Sequence, residues 1–219
     1  MSEDQGKDRP SYHHGNLRQA LIDAAVQLVE EDGPANVSVR EVAKRAGVSP
    51  GAPFRHFSNK TALMTAVAEQ AMARFRLEIV SAVEAVITDD PVDRFAAVGV
   101  AYLRWAIRNP THFQIISTRS LIDWENSESL RRDNDAVRLL VEGAMLEARR
   151  RNLLQSNDIM ETQIAARALV YGLARMYIDG HFAQWAMPGQ TAEDTVQTVL
   201  KNYISSIRSG PITLPEETI

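Results

Sequence analysis

Cysteine is absent from this 219-residue chain, so disulfides and thiol catalysis are excluded, and the composition suits a reducing compartment. No run of about 18 consecutive apolar residues occurs, which argues against a membrane-spanning helix. The opening MSEDQGKDRP has neither an apolar core nor a cleavage site, so a secretory leader is not expected there. Positive charge is in deficit too: 24 Lys and Arg against 28 Asp and Glu leave a net charge of -4. Apolar–polar alternation and internal repeats are missing, so neither strands nor a solenoid are expected. What these absences leave is a soluble, cytoplasmic, all-α chain. Its 45% hydrophobic content suffices for one sizeable core or two smaller ones.

One stretch, residues 37–60 (VSVREVAKRAGVSPGAPFRHFSNK), carries the most local information. Ser38 followed three residues later by Glu41 is a capping box, so Val39 is expected to open a helix with Val42, Ala43 and Ala46 on one face. Gly47 can take the positive φ that ends a helix, Val48 is a small apolar wedge, and Ser49-Pro50 pairs an N-cap with a proline at the first helical position. Two short helices joined by a glycine-containing turn form a helix-turn-helix, whose second helix enters the DNA major groove. The charge agrees. Arg40, Lys44, Arg45, Arg55 and Lys60 face a single acid, Glu41, in a chain that is acidic overall. Basic character gathered in one place suits an approach to phosphates through one surface. Pro53 interrupts the pattern, because its missing N–H would have bonded the Ser49 carbonyl; the second helix is expected to begin irregularly.

These residues resemble the N-terminal DNA-binding domain of the TetR family of bacterial transcriptional regulators. The resemblance covers residues 12–64 and rests on Val-Ala-x-x-Ala-Gly-Val-Ser at 42–49, aromatic-x-His-Phe at 54–57, and Asn59-Lys60 before a long helix. Phe54 departs from it, since a tyrosine is more usual there and its hydroxyl is lost. The resemblance implies a homodimer on a near-palindromic double-stranded operator, with residues 49–56 as the recognition helix. Arg55 is the candidate for base contact, Ser49 opens the helix, and Gly51 allows close approach. Ser38, Arg40, Phe54, His56 and Lys60 are assigned to phosphates, sugars or thymine methyls.

Along the rest of the chain, residues 1–14 read as a flexible tail, in which Arg9, His13 and His14 could alternatively form a minor-groove arm. His13-His14 has no further ligand at metal spacing, so neither metal nor cofactor is expected. A supporting helix spans residues 16–31 and stops at Gly33-Pro34, giving a three-helix head over residues 15–62. The apolar positions Leu63, Val67, Ala71, Phe75, Ile79 and Val83 predict one unbroken helix of about 25 residues, roughly 37 Å long, that would couple head and body as a rod. Further helices are expected at 91–108, 111–117, 127–151, 158–185 and 192–207, with breaks at Asn109-Pro110 and Pro188-Gly189 and a loop at 124–129. The helical body is placed at 63–208 and a loose tail at 209–219.

Two stripes mark the last long helices: Ala165, Ala168, Leu169, Gly172, Leu173 and Met176 on one, and Val196, Val199, Leu200, Tyr203 and Ile207 on the other. The resemblance implies that these helices form the dimer interface; filling the monomer core is the alternative for part of each. A small-molecule effector is expected among the central helices. Candidate lining residues are Phe75, Phe95, Tyr102, Trp105, Phe113, Trp124, Met145 and Tyr177, with Arg175 or His181 as polar anchor or on the dimer rim. Gly47-Val48-Ser49-Pro50-Gly51 fits the nucleophile elbow G-x-S-x-G, but the preceding residues are charged and helical where a buried strand is required, so no enzyme is expected. The resulting expectation is a transcriptional regulator, a repressor released by its effector. Two other readings stay open: an activator, or a ligand-independent DNA-tethered protein-interaction module.

Overall fold

The computed structural model describes residues 17–156, 158–185 and 189–209. The expectations for the N-terminal tail with Arg9, His13 and His14, for Pro188, and for residues 210–219 fall outside the described residues. Among those described there are helices, short 3-10 turns and one isolated antiparallel bridge, Leu154 with Arg208. The chain divides into two compact units, the first ending at Val67.

In the first unit, α1 (Leu17–Asp32) buries Leu21, Ile22, Ala24, Ala25, Leu28 and Val29 along one face. Gly33, at φ +76°, ends it by donating its N–H to the Val29 carbonyl at 2.9 Å. The next helix, α2 (Val39–Arg45), begins where the capping box places it. Glu41 N–H donates to Ser38 Oγ at 3.2 Å, and Ser38 N–H donates to Glu41 Oε2 at 3.0 Å. The Ser38 hydroxyl, which donates to Glu41 Oε2, and then the Ser38 N–H hold the Glu41 carboxyl below its ordinary value of 4.5. A depressed carboxyl contributes stability that is complete above that value and lost as pH falls through the folded pKa. Ser38→Ala is expected to cost about 1 kcal/mol in urea unfolding, and Ser38→Asp, which keeps an acceptor at the cap, to recover most of it.

Past Gly47, at φ +69°, the expected second helix is not regular. Pro53 has no N–H for the Ser49 carbonyl, which instead accepts from Ala52 at 3.0 Å. A turn therefore leads into a 3-10 segment, Pro53–Arg55, closed by His56 N–H to the Pro53 carbonyl at 2.9 Å. Pro53 and Phe57 are both buried, and the Arg18 guanidinium of α1 lies 5.5 Å from the Phe57 ring centroid. Asn59 Oδ1 then accepts from Ala62 N–H at 2.9 Å and opens α3 (Lys60–Glu84), 25 residues that begin in the first unit and end in the second.

The second unit is built on α4 (Pro91–Arg108), capped by Asp90 and buried along most of its length. Around it lie α5 (Pro110–Ser117), α6 (Glu128–Arg150), α7 (Ile159–Ile178) and α8 (Ala192–Ile207). Side chains of Ser127, Asp158 and Thr191 accept backbone N–H bonds at the starts of α6, α7 and α8. Gly99 lets α8 approach α4, since a Cβ there would lie 3.2 Å from Leu200 Cδ1. Expectation and structure differ at α7, which ends at Ile178 and not at residue 185. Gly180 turns the chain at φ +73°, and only a 3-10 turn, His181–Gln184, follows. Ser209, the first residue of the expected loose tail, is bonded: its N–H donates to the Leu153 carbonyl at 2.8 Å.

Candidate nucleic-acid interface and ligand cavity

The basic stretch divides by what each side chain is already bonded to. Arg45 is committed to Glu31 through a two-pronged ion pair, with Nη1 to Oε1 at 2.8 Å. Ser38, a candidate phosphate donor, spends its hydroxyl hydrogen on Glu41 Oε2 at 2.7 Å and acts as a cap. Lys60 directs one N–H to the Ala35 carbonyl at 3.0 Å, which ties the start of α3 to the loop before α2 and leaves two donors. Arg40, Lys44 and Arg55 are exposed and form no ion pair among the described residues. Arg40 and Lys44 stand one turn apart on α2, so they share a face. Lys44 is not among the residues assigned to DNA from the sequence, although its spacing of four from Arg40 on a helix is a signal for it. Ser49 and His56 are exposed, and Phe54 is 54% exposed beside Arg55. A Cβ on Gly51 would meet nothing within 4 Å, so no contact among the described residues requires a glycine there. The segment Gly47–Gly51 follows helix α2 and lies in a turn, which removes the strand that a nucleophile elbow requires.

In the second unit a cavity of about 100 Å³ opens among α3, α4, α5, α6 and α7. Phe75, Tyr102, Trp105 and Phe113 form its wall, with Tyr171 and Trp124 toward the rim. The rings meet edge to face: Phe75 with Tyr102 at 5.3 Å, Phe75 with Trp105 at 5.0 Å, and Tyr102 with Phe113 at 6.0 Å between centroids. Such pairs contribute about 0.5–1.5 kcal/mol each beyond burial and hold the wall in shape. Burial pushes the Tyr102 phenol up to about 12, against the opposing pull of Arg167, so it is a protonated donor at neutral pH. Met72, Ile116 and Val137 complete the apolar lining, while Ser117, Asn134, Arg119 and Arg167 supply polar groups.

Not every expected lining residue reaches this space. Phe95 and Met145 are buried in helix packing, away from the lining. Arg175 donates to Asp179 at 2.9 Å one turn along α7, and the Tyr177 hydroxyl donates to Glu193 Oε1 at 2.5 Å. His181 is exposed in the 3-10 turn. The cations at the cavity are instead Arg119 and Arg167. Arg167 lies two turns before Arg175 on α7, and Arg119 sits in a 3-10 turn between α5 and α6 that had no sequence signal of its own. The Arg119 guanidinium stacks on Trp124, 3.2 Å from the ring centroid.

The two stripes also divide. Val196 and Leu200, with Ile204, fill the core of the unit, as does Leu173. Ala165 and Ala168 are exposed, beside Met160 at 68% and Ile164 at 62% exposure. Leu169, Gly172, Met176, Val199, Tyr203 and Ile207 are half-buried at its margin, where Tyr203 donates to the Thr162 carbonyl at 2.8 Å.

The fold is that of an all-helical protein with a basic, turn-linked head and a separate helical body that holds a cavity. Residues 21–67 match the family described as bacterial regulatory proteins, tetR family, and residues 95–202 match the tetracyclin repressor-like C-terminal domain. The chain belongs to the tetR family. The HTH-type transcriptional regulator BetI of Rhizobium meliloti is 33% identical over 81 residues, which are 37% of this chain and 39% of that protein. The match therefore spans well under half of that relative's length. The BetI regulator of Brucella melitensis is 25% identical over 197 residues, 88% of this chain and 92% of its own. A protein of unknown function from Rhodococcus sp. RHA1 superposes with a TM-score of 0.74 at 25% identity, over 92% of this chain and 100% of that one. Among the described residues no helix is long and apolar enough to cross a membrane.

Proposed function

We propose that this chain is a cytoplasmic, homodimeric transcriptional repressor that binds a near-palindromic operator and is released by a small molecule held in the second unit. The observation that carries the DNA-binding reading is the exposed set Arg40, Lys44 and Arg55 around the α2 turn of an acidic chain, without ion pairs among the described residues. Each copy presents this surface to one major groove, and the half-sites lie about 34 to 36 Å apart. Arg55 reads a guanine edge through its two-pronged guanidinium, while Arg40, Lys44 and the remaining donors of Lys60 grip phosphates. The absence of a regular second helix means that the 3-10 segment presents Phe54, Arg55 and His56 together at the end of a short turn. No catalytic activity is part of this reading.

Effector control needs only differential affinity. A ligand in the cavity touches α7 through Arg167 and Tyr171, and the same helix carries the exposed stripe proposed as the dimer face. A shift of α7 on ligand binding would alter how two copies meet, and a coupling of about 1–3 kcal/mol weakens the operator complex about 5- to 150-fold.

The test is selection of bound sequences from a random duplex pool with the purified full chain. Recovery of a near-palindromic motif is expected, and recovery of no motif would overturn the reading. On that motif Arg55→Ala is expected to lose about 1–3 kcal/mol and relax preference at one position of each half-site. Arg40→Ala is expected to weaken all sequences alike and to reduce the magnitude of the salt-dependence slope by about one; an unaltered slope removes Arg40 from the phosphate contacts.

A further inference from the structure

Two cations share the mouth of the aromatic cavity, and no carboxylate pairs with either among the described residues. Arg119 and Arg167 both line it, and neither forms an ion pair or a side-chain hydrogen bond there. Arg119 and Arg167 are both exposed at the rim; partial desolvation acts first against the charge of Arg119 and the nearby Arg167 second, with the exposed Glu125 favouring it. Trp124 covers one face of the Arg119 guanidinium, so the edge N–H groups are what remain to bond a ligand. Behind the cations the wall is aromatic, and the Tyr102 hydroxyl makes no hydrogen bond among the described residues. Two repelling guanidiniums in front of an apolar slot select a molecule with an anionic head and a flat apolar body.

Size narrows the choice. A dry cavity of about 150 Å³ accepts a benzene ring. The present space of about 100 Å³, open at the cationic end, holds at most one ring, with the charged group at the rim. A cation would be repelled by the two guanidiniums.

We propose that this cavity binds a small monocyclic carboxylate, its ring among Phe75, Tyr102 and Phe113 and its carboxylate bridging Arg119 and Arg167. The assignment rests on the effector reading for its regulatory meaning, but not for the binding itself. Planar carboxylates match the guanidinium fork with two parallel N–H bonds, and Tyr102 or Asn134 can add a third donor.

Titration calorimetry on the full chain with benzoate, benzyl alcohol, acetate and phenylphosphonate separates the terms. Benzoate is expected to bind at least about tenfold more tightly than benzyl alcohol, which keeps the ring, and acetate, which keeps the charge. Arg167→Gln and Arg119→Gln are each expected to lower the benzoate-to-benzyl-alcohol affinity ratio about tenfold. The ratio is informative because a misfolded variant would lose both ligands together. A ratio near one in the native protein, a ratio that neither substitution moves, or no binding of benzoate would overturn the proposal. Phenylphosphonate binding tenfold more tightly than benzoate would also overturn it, in favour of a phosphate ester. Operator affinity measured with and without benzoate is a separate readout. Benzoate that meets the ratio criterion yet leaves operator affinity unaltered would support the ligand class and sink the effector reading instead.

Discussion

Replacement of Arg208 by alanine is expected to destabilise the second unit by about 3–5 kcal/mol, the largest stability loss of any substitution considered. Arg208 follows the last turn of α8, and its side chain is 6% exposed. Nη1 donates to Asp93 Oδ1 at 2.9 Å, and Nη2 pairs with Asp90 at the start of α4. The Asp93 side chain is 3% exposed and also accepts from the Thr88 hydroxyl at 2.7 Å. Truncation leaves a buried carboxylate without its cation, which costs more than the pair itself contributes. The double variant Arg208→Met, Asp93→Asn removes both charges and is expected to recover much of the loss. Urea unfolding of the three proteins measures this directly, and a loss under about 1 kcal/mol in the alanine variant would mean that the pair is effectively solvated.

The second large effect is expected at the exposed stripe of α7, where Ile164→Glu should convert the proposed dimer to monomers. An isologous interface meets each substitution twice, so two carboxylates enter one apolar contact without a partner cation. Desolvating an unpaired charge costs several kcal/mol, and about 2.7 kcal/mol already weakens association 100-fold. Because Ile164 is 62% exposed in the single chain, the subunit fold should survive, which circular dichroism would verify. Sedimentation equilibrium reads the association, and operator binding should fall with it. A variant that stays as dimeric as the native protein would place the interface elsewhere. Tyr171, 41% exposed and in contact with Phe113 at 5.8 Å, links this stripe to the cavity wall and makes communication between them short.

Much of the helical framework is determined by the sequence by itself. Ser38 with Glu41, Asp90 with Pro91, and Thr191 with Asp194 open α2, α4 and α8 where they stand, because a cap is a bond between residues two or three apart. Gly33 and Gly47 end α1 and the α2 turn for an equally local reason, since positive φ disfavours a side chain. The basic character of the α2 turn was legible for the same cause: five basic side chains against Glu41 within 24 residues.

Only the tertiary structure decided which of those cations stay available. Arg45 is taken by Glu31, fourteen residues away on α1, and Lys60 reaches back to Ala35. Distance along the chain hid the cavity in the same way, because Phe75, Tyr102, Phe113, Arg119 and Arg167 come from five separate segments that packing brings to one space. Periodicity can mark an apolar or aromatic position as inward-facing, but it does not say which void that position borders. Arg175 and Arg167 carry the same charge on the same helix, yet Asp179 sits one turn beyond the former and the cavity opens beside the latter. Arg208 is the extreme case, held to Asp93 across 115 residues. Local bonds set where helices start and stop; the partners of a charge depend on long-range packing, and those partners decide whether it caps, braces or binds.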